Sequence, residues 1–376
     1  MNNISVYVHT PFCKHKCYYC DFASFSNNED FINEYYKALK KEIILRKNEI
    51  NSRDISTVYF GGGTPSYVDS KYITDIMDIL KSEFNIKKEA EITIEANPES
   101  VTEEKLENYK IAGFNRISMG LQSANNNTLK EIGRIHTFEK FLSSYELCKN
   151  AGFDNINIDL MFSLPNETLK DFIDSLEEVI MLNPTHISTY SLILEKGTKL
   201  YNNYKKNNII IDDDLDRTMY HYCINKLSEY DYEQYEISNF AQKGYESKHN
   251  MSCWDLEDYI GFGINASGFN ENTRKTNKSN IKEYINDLNN NILPINEENK
   301  LSKEELLGDY IMLGLRKIKG IDIEKINKKF NINFTDIYND KIEKLKRQGL
   351  VMIENNHFKL TYKGLDFANT VMVEFI

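Results

Sequence analysis

Three cysteines stand close together near the start of the chain, as Cys13, Cys17 and Cys20, directly after a short apolar stretch. A loop with this C-x3-C-x2-C spacing can bring three thiolates onto one face of a [4Fe–4S] cube, which leaves the fourth iron open to a small molecule. An open iron beside a bound sulfonium is the arrangement that radical cleavage of S-adenosylmethionine (SAM) requires. The spacing therefore favours an iron–sulfur cluster and SAM.

Two other uses of these cysteines are weaker. A structural zinc ion needs four closed ligands, commonly as two separated pairs, and no second C-x-x-C pair occurs in the sequence. Disulfides do not suit three closely spaced cysteines, and the first residues show no secretory signal pattern. Zinc is the alternative that stays open.

An alternation of strand and helix patterns fills the first half of the chain and predicts six β/α units. The candidate strands are Ile4–His9, Thr57–Phe60, Glu91–Glu95, Arg116–Leu121, Asn155–Leu160 and His186–Leu192. The helical patterns between them include Asp30–Ile50, Ser70–Phe84, Thr102–Ala112, Phe138–Ala151 and Leu169–Leu182. Six units in series predict an α/β fold with a parallel sheet, closed partway into a (β/α)6 barrel.

Each candidate strand ends in a loop with an unusual group. The cysteines follow the first strand, Gly61-Gly62-Gly63-Thr64-Pro65 the second and Glu95 the third, and Gln122 and Asp159 follow later strands. In β/α barrels the chemistry lies at the carboxyl ends of the strands. The glycines permit close backbone approach, although a tight turn alone would also explain them.

Two charged residues in these loops are candidates for ligand contacts. Glu95 is well placed to bind an ammonium or a ribose hydroxyl through charge-assisted hydrogen bonds. Arg134, in Gly133-Arg134-Ile135-His136, could pair with a carboxylate bidentately. The simpler interpretations are a solvent-exposed or helix-capping acid and a surface arginine.

Composition narrows the classes of function. The 376 residues carry 46 Lys and Arg against 57 Asp and Glu, a net charge of −11, which argues against general nucleic-acid binding. No run of eighteen apolar residues occurs, so no transmembrane segment is expected. Six cysteines without a signal pattern predict a reducing, cytoplasmic location.

The second half of the chain divides further. We expect a barrel domain over 1–200, an extension and connecting segment over 201–300, and a C-terminal domain over 301–376. Asn272–Lys300 is polar and rich in asparagine, which predicts a loop-rich connection with helical pieces. From Leu301 onward, three helical patterns precede two short strands joined by Asn355-Asn356, an order that resembles a mostly helical winged-helix domain.

The cysteine spacing, the Gly-Gly-Gly-Thr-Pro loop and the Gly-Arg-Ile-His segment resemble the radical SAM superfamily. Over nearly the whole chain they resemble its oxygen-independent coproporphyrinogen III oxidase-like family, which includes the HemW-type haem chaperones. The resemblance implies that Cys13, Cys17 and Cys20 hold the cluster. It implies SAM contacts from Tyr7, Gly62 and Glu95, and it matches a second group to positions assigned to a second SAM in the oxidase branch. That second group is Tyr19, Gly63, Thr64, Gln122, Arg134, Asp159 and Ile193.

Two positions separate the branches of this family. The oxidases typically carry a fourth cysteine two positions after the third, where this chain has Phe22, the residue of the chaperone branch. The chaperone branch also shows H-N-x-x-Y-W, which here is His249-Asn250-Met251-Ser252-Cys253-Trp254. His249 is a candidate haem contact, and Cys253 a weaker one; packing of Trp254 in the core is the simpler explanation.

The resemblance therefore predicts a haem chaperone that passes haem to recipient haemoproteins, with the cluster and SAM serving dimerisation or transfer. The alternative is oxygen-independent coproporphyrinogen III dehydrogenase, which acts on a porphyrinogen. An electron donor and a homodimer are further expected partners. A nucleic-acid-binding regulator built on the winged module is a third hypothesis, disfavoured by the missing basic patch.

Overall fold

A single twelve-stranded sheet forms most of the computed structural model, which describes residues 3–26, 28–50, 53–207 and 209–376. Its order is β12-β11-β10-β9-β1-β2-β3-β4-β5-β6-β8-β7. The strands are β1 (Asn3–Thr10), β2 (Asp54–Gly62), β3 (Ile86–Ala96), β4 (Arg116–Gln122), β5 (Asn155–Phe162), β6 (His186–Ser191), β7 (Glu233–Glu236), β8 (Asn239–Ala241), β9 (Tyr259–Phe262), β10 (Ser267–Asn270), β11 (Thr273–Asn277) and β12 (Ile295–Lys300). A separate sheet, ordered β13-β15-β14, contains β13 (Ile321–Asp322), β14 (Val351–Glu354) and β15 (His357–Leu360).

Helices connect the first six strands, and further helices follow β6. They are α1 (Ile32–Leu45), α2 (Lys47–Ile50), α3 (Ser70–Glu83), α4 (Glu103–Ile111), α5 (Asn126–Glu131), α6 (Phe138–Asn150), α7 (Leu169–Met181), α8 (Lys199–Asn207), α9 (Asp213–Ser228), α10 (Lys248–Trp254), α11 (Ile281–Asn289), α12 (Lys303–Gly314), α13 (Ile323–Phe330), α14 (Phe334–Ile337), α15 (Asn339–Arg347), α16 (Tyr362–Asp366) and α17 (Ala368–Val373). Several begin at a side-chain cap; at the start of α7, the N-cap Thr168 and Asp171 in the first turn form a reciprocal capping box. Such caps satisfy amide groups that a helix start leaves unpaired.

Strands β1 to β6 are parallel neighbours in sequence order, which confirms the α/β partial barrel. In the β1–β2 pair, Val6 lies opposite Val58 and Val8 opposite Phe60, and all four side chains are fully buried. Buried parallel strands read as apolar runs because helices cover them. The carboxyl ends of the six strands consequently meet at one rim.

The prediction of a loop-rich connection over Asn272–Lys300 is wrong. Helix α11 agrees with the predicted helical pieces, whereas β11 and β12 form antiparallel strands at one end of the large sheet. Five of the six residues of β12 are exposed, so this edge strand needs no apolar alternation. The polar composition of β12, which resembles that of a loop, therefore follows from its exposure to solvent.

Residues 301–376, here called the C-terminal module, combine α12 to α17 with the three-stranded sheet. Asn355 and Asn356 close the β14–β15 hairpin with φ of 48° and 62°, values that asparagine tolerates in tight hairpin turns. The three predicted helices and the hairpin are present, in the order of a winged helix. In the part of the chain that the structure describes, no helix is long and apolar enough to cross a membrane.

Candidate functional site

A cavity of about 560 Å³ opens at the carboxyl ends of the barrel strands. Twelve of the residues predicted to bind the cluster or SAM line it together: Cys13, Cys17, Cys20, Tyr19, Gly62, Gly63, Thr64, Glu95, Gln122, Arg134, Asp159 and Ile193. Tyr7 and His249 are not among its lining residues. Residues up to 180 positions apart in the sequence thus meet in one chamber because the parallel strands share an edge.

The segment Pro11–Phe25, here called the cysteine loop, is fixed to the glycine loop after β2. The Gly63 amide donates to the Thr10 carbonyl at 2.7 Å, and the Thr64 amide donates to the Phe12 carbonyl at 2.9 Å. A Cβ atom on Gly63 would lie 2.9 Å from the Cys13 sulfur, so only glycine fits without displacement. This close approach explains why the two loops occur together.

The three thiols face the cavity with polar neighbours. The Thr64 hydroxyl donates to the Cys13 sulfur at 3.5 Å, and Arg134 Nη1 donates to the Cys17 sulfur at 3.6 Å. Within the described residues, no three His, Cys, Asp or Glu side chains are close enough to hold one metal ion. A mononuclear zinc site needs such a tight group, whereas an iron–sulfur cube takes each thiolate on a different iron. The donor set fits a cluster.

Burial raises the pKa of the Cys13 thiol and raises that of Cys20 to about 11. Both groups are therefore protonated near neutral pH unless a metal binds. A coordinating metal deprotonates thiols outright, so cluster assembly at these positions releases protons.

Tyr7 lies outside the cavity lining and contacts His9. The Tyr7 hydroxyl is 3.0 Å from His9 Nδ1, and His9 Nε2 is 2.8 Å from the carbonyl oxygen of Ala23 in the cysteine loop. A Cβ on Gly62 would lie 2.5 Å from the His9 ring. Burial lowers the pKa of His9 to about 4, so the ring is neutral at pH 7. Sequence reasoning missed this link between β1 and the cysteine loop.

Glu95 stands at the end of β3 with two donors already in place. The Tyr59 hydroxyl donates to one carboxyl oxygen at 2.8 Å and the Gly62 amide to the other at 3.2 Å. Burial, the largest cause, and the nearby charge of Asp159 raise the pKa of Glu95 to about 7, against the opposing effect of the Tyr59 hydrogen bond. A cationic ligand in the cavity would stabilise the ionised form.

Arg134 and Gln122 occupy the same wall. Arg134 Nη2 donates to Asn97 Oδ1 at 2.7 Å and to the Gly120 carbonyl, which fixes the guanidinium beside the cysteine loop. Gln122 has a φ of 75°, rare outside glycine, and its side-chain oxygen accepts from the Tyr190 hydroxyl at 3.0 Å. Left-handed backbone at a strand end re-aims a side chain, here into the cavity.

The inner end of the cavity is polar. Asp159 accepts from Asn157 Nδ2 at 2.6 Å, and burial raises the pKa of its carboxyl. Ser188 donates to Asn157 Oδ1 at 3.1 Å, and Arg116 also lines this end. Apart from Asp159, these residues were not singled out in the sequence, although a polar residue opening an otherwise buried strand, as Arg116 does in β4, is a usable signal.

Two apolar side chains flank the mouth of the cavity. Phe22 is 61% exposed and Ile193 is 68% exposed, and both line the cavity. Large exposed apolar side chains at an opening commonly mark a surface that binds an apolar partner.

His249 lies on α10, outside the cavity lining and 7% exposed. Its Nδ1 is 2.8 Å from the Thr57 hydroxyl, and its ring stacks on Tyr59 with centroids 5.0 Å apart. Burial and the charge of Arg116 lower the pKa of His249 to about 3. Haem ligation by His249 stays a prediction, as does that by Cys253.

Comparison with known proteins gives the relationships of the chain. Residues 7–179 match the model of the radical SAM superfamily, and residues 301–367 match the HemN C-terminal domain. Membership of that superfamily implies a [4Fe–4S] cluster and SAM. The structure is similar to one described as "Coproporphyrinogen III oxidase (HemN) from Escherichia coli is a Radical SAM enzyme", with a TM-score of 0.88, 23% identity, and coverage of 100% of this chain and 90% of that one. At this identity the likeness shows the fold alone.

Full-length relatives are more specific. The chain is 34% identical over 374 residues to "Heme chaperone HemW" of Bacillus subtilis (strain 168), covering 99% of both chains. It is 36% identical over 377 residues to "Heme chaperone HemW" of Lactococcus lactis subsp. lactis (strain IL1403), covering 99% of this chain and 97% of the relative. Together with the cluster loop and the barrel cavity, these likenesses show that the chain belongs to the HemW family of the radical SAM superfamily.

Proposed function

We propose that this protein is a haem chaperone that binds a [4Fe–4S] cluster, SAM and haem and delivers haem to apo-haemoproteins. The full-length likeness to relatives named heme chaperone supports this proposal. The observation that carries it is Phe22: a side chain 61% exposed at the cavity mouth stands where the oxidase branch typically has a thiol. An aromatic ring cannot take the chemical role of a thiol, but it offers a flat apolar contact for a porphyrin.

In this proposal the cysteine loop holds the cluster through Cys13, Cys17 and Cys20. The cluster supplies one-electron chemistry towards bound SAM. Gly62 and Gly63 line the cavity and leave room for the His9 ring and the Cys13 sulfur, and Glu95 accepts hydrogen bonds from a ligand ammonium or hydroxyl. The remaining proposed SAM contacts line the same chamber: Tyr19, Thr64, Gln122, Arg134, Asp159 and Ile193. Tyr7 acts through His9 from outside the cavity lining.

Haem is proposed to dock at the mouth, against Phe22 and Ile193, where apolar surface is accessible. Ligation by His249 requires the haem to reach a ring that is 7% exposed and bonded to Thr57. An electron donor, recipient haemoproteins and a homodimer complete the proposed partners.

The experiment uses anaerobically reconstituted protein in two parallel assays. Hemin titration is expected to produce a shifted Soret band in the wild type and a weaker Soret band in Phe22→Ser. The variant His249→Ala tests whether His249 ligates the haem iron. Lys344→Met, on the far C-terminal module, is the matched control.

The second assay incubates the same protein with coproporphyrinogen III, SAM and a strong reductant. Mass spectrometry is expected to find no decarboxylated porphyrinogen. Its appearance would contradict the chaperone assignment and favour the dehydrogenase alternative.

A further inference from the structure

Arg116 is a buried arginine with no hydrogen-bonding partner in the part of the chain that the structure describes. It is 2% exposed, lines the inner end of the cavity, and its Nε has no hydrogen-bond partner among the described residues. No carboxylate oxygen of the described residues lies within 4.0 Å of it. By contrast, Arg46, 3% exposed, pairs with Glu42 at 2.8 Å and with Glu49 at 3.0 Å. Buried arginines are ordinarily paired in this second way.

The groups around Arg116 are already engaged with one another. Asn157 Nδ2 donates to Ser118 Oγ at 2.8 Å and to Asp159 Oδ1 at 2.6 Å. Ser188 donates to Asn157 and also to Asn239. This amide and hydroxyl network satisfies its own members and leaves the guanidinium facing the cavity alone.

The nearest acids do not neutralise this charge by contact. Glu95 and Asp159 line the same cavity, but each keeps its hydrogen bonds with other groups. An unpaired buried charge is costly, and a ligand anion that pairs with it recovers that free energy. The cost in the ligand-free chain therefore favours binding of an anion at this end of the cavity.

We propose that Arg116 binds a carboxylate of the ligand that fills the barrel cavity. The planar guanidinium presents two parallel N–H groups, which match a carboxylate bidentately. Two sources fit this chemistry, the methionyl carboxylate of SAM and a propionate of haem. The inference rests on the proposed function, because that proposal brings these ligands to the cavity.

Arg116 is distinct from the contacts near the cluster. It is the first residue of β4 and lies opposite Thr93 of β3, two residues before Glu95, whereas Gln122 is the last residue of β4. Arg134 already donates to Asn97 and Gly120 beside the cysteine loop. Both arginines act on Asp159, and in both the Nε atom has no partner among the described residues. The Nη atoms of Arg134 are nevertheless engaged with Cys17, Asn97 and Gly120, whereas the Arg116 guanidinium makes no hydrogen bond to a described residue.

The test compares binding of paired probes by wild type, Arg116→Met and Arg116→Lys, with Arg347→Met as a control for loss of an exposed positive charge. All proteins are reconstituted anaerobically and matched for cluster absorbance. S-adenosylhomocysteine is paired with 5′-methylthioadenosine, which lacks the amino-acid carboxylate. Hemin is paired with its dimethyl ester, which lacks free propionates.

Arg116→Met is expected to weaken one carboxylate-bearing probe by at least about thirtyfold. The partner probe without the carboxylate should change by less than about threefold. Loss confined to S-adenosylhomocysteine identifies SAM as the source, and loss confined to hemin identifies the propionate. Arg116→Lys keeps the positive charge but lacks the two parallel N–H groups, so its affinity for the carboxylate-bearing probe should lie between those of wild type and Arg116→Met. If Arg116→Met fails to hold a cluster, Arg116→Lys is used in its place.

Equal loss for acid and matched neutral probe, or no loss beyond threefold, overturns the inference and leaves Arg116 a structural residue. If the wild type binds S-adenosylhomocysteine through Arg116 but does not bind hemin, the inference about Arg116 holds and the proposed haem binding is contradicted. Wild type that binds neither acid contradicts both.

Discussion

The barrel interior and the C-terminal module bury opposite kinds of side chain. Around the cavity, polar groups such as Arg116, Gln122, Arg134 and Asn157 are all less than 10% exposed. Among the described residues after Asn277, no polar or charged side chain is buried. Burying polar groups costs free energy unless they are paired, so a region that does it repeatedly is shaped by ligands rather than by stability.

The C-terminal module is built as an ordinary apolar core. Phe334, Phe358 and Phe375 pack with ring centroids 5.3 to 6.5 Å apart. The module contacts the barrel through Arg316, whose Nη2 is 3.7 Å from the fully buried Glu236 and whose guanidinium lies 4.4 Å from the ring centre of Trp254. The module therefore braces the barrel at β7 and α10.

The largest expected effect is on the cluster. Cys17→Ser removes one of three thiolates and is expected to abolish nearly all cluster absorbance and bound iron, since an iron–sulfur cube needs each of these ligands. Cys253→Ser is the control, because Cys253 lies on α10 away from the cavity lining. Iron analysis after anaerobic reconstitution measures both. Equal iron in the two variants would refute the ligand assignment.

The apolar core of the module should show the largest effect on stability. Phe358→Ala deletes a fully buried ring and is expected to lower the free energy of unfolding by about 3–5 kcal/mol. Ile337→Ala, at a side chain 57% exposed, should change it by less than about 0.5 kcal/mol. Denaturant unfolding of the module measures the difference; similar values would show that the core is elsewhere.

Glu95 should make SAM binding pH-dependent. Its raised pKa of about 7 means that the carboxyl is protonated below this pH, and a protonated acid cannot pair with the SAM ammonium. Affinity should therefore rise about tenfold from pH 6 to pH 8, as ionisation is completed. Asp159 and Arg116, which face Glu95, shift its pKa in opposite directions.

Glu95→Gln should bind SAM with little pH dependence over the same range. Isothermal titration of both proteins provides the measurement. A wild-type affinity that is flat with pH, or a variant that keeps the slope, would remove Glu95 from the SAM site.

The smallest effect is expected at the charged surface of the module. Lys344 and Glu374 form an ion pair at 2.7 Å, but their side chains are 50% and 31% exposed. Lys344→Met should alter the free energy of unfolding by less than about 1 kcal/mol, because solvent screens exposed pairs. A larger loss of unfolding free energy would show that polar contacts stabilise the C-terminal module, against its contrast with the barrel interior.

Sequence reasoning was most reliable where one physical cause dominates. Buried parallel strands are apolar runs, so the six strands β1 to β6 were located within a few residues. The cysteine loop and the glycine loop were recognised by spacing, and their side chains meet in the cavity. The winged module followed from helical periodicity and the Asn355-Asn356 turn.

The failures have physical reasons too. β12 is an edge strand facing solvent, so its composition resembles a loop. The roles of His9 and Arg116 depend on contacts made in three dimensions: a carbonyl 14 residues away for His9, and the missing partner for Arg116. The local pattern carries no signal for the contact of His9; for Arg116 it marks a polar residue at the start of a buried strand but does not show that the residue has no partner.

Haem transfer is the most direct test of the central claim. Hemin-loaded protein is mixed with apomyoglobin under anaerobic conditions, and the Soret band of holo-myoglobin is followed over time. The account predicts that wild type loads hemin stoichiometrically and passes it on, and that Phe22→Ser loads less. A wild-type protein that neither retains hemin nor transfers it would contradict the account.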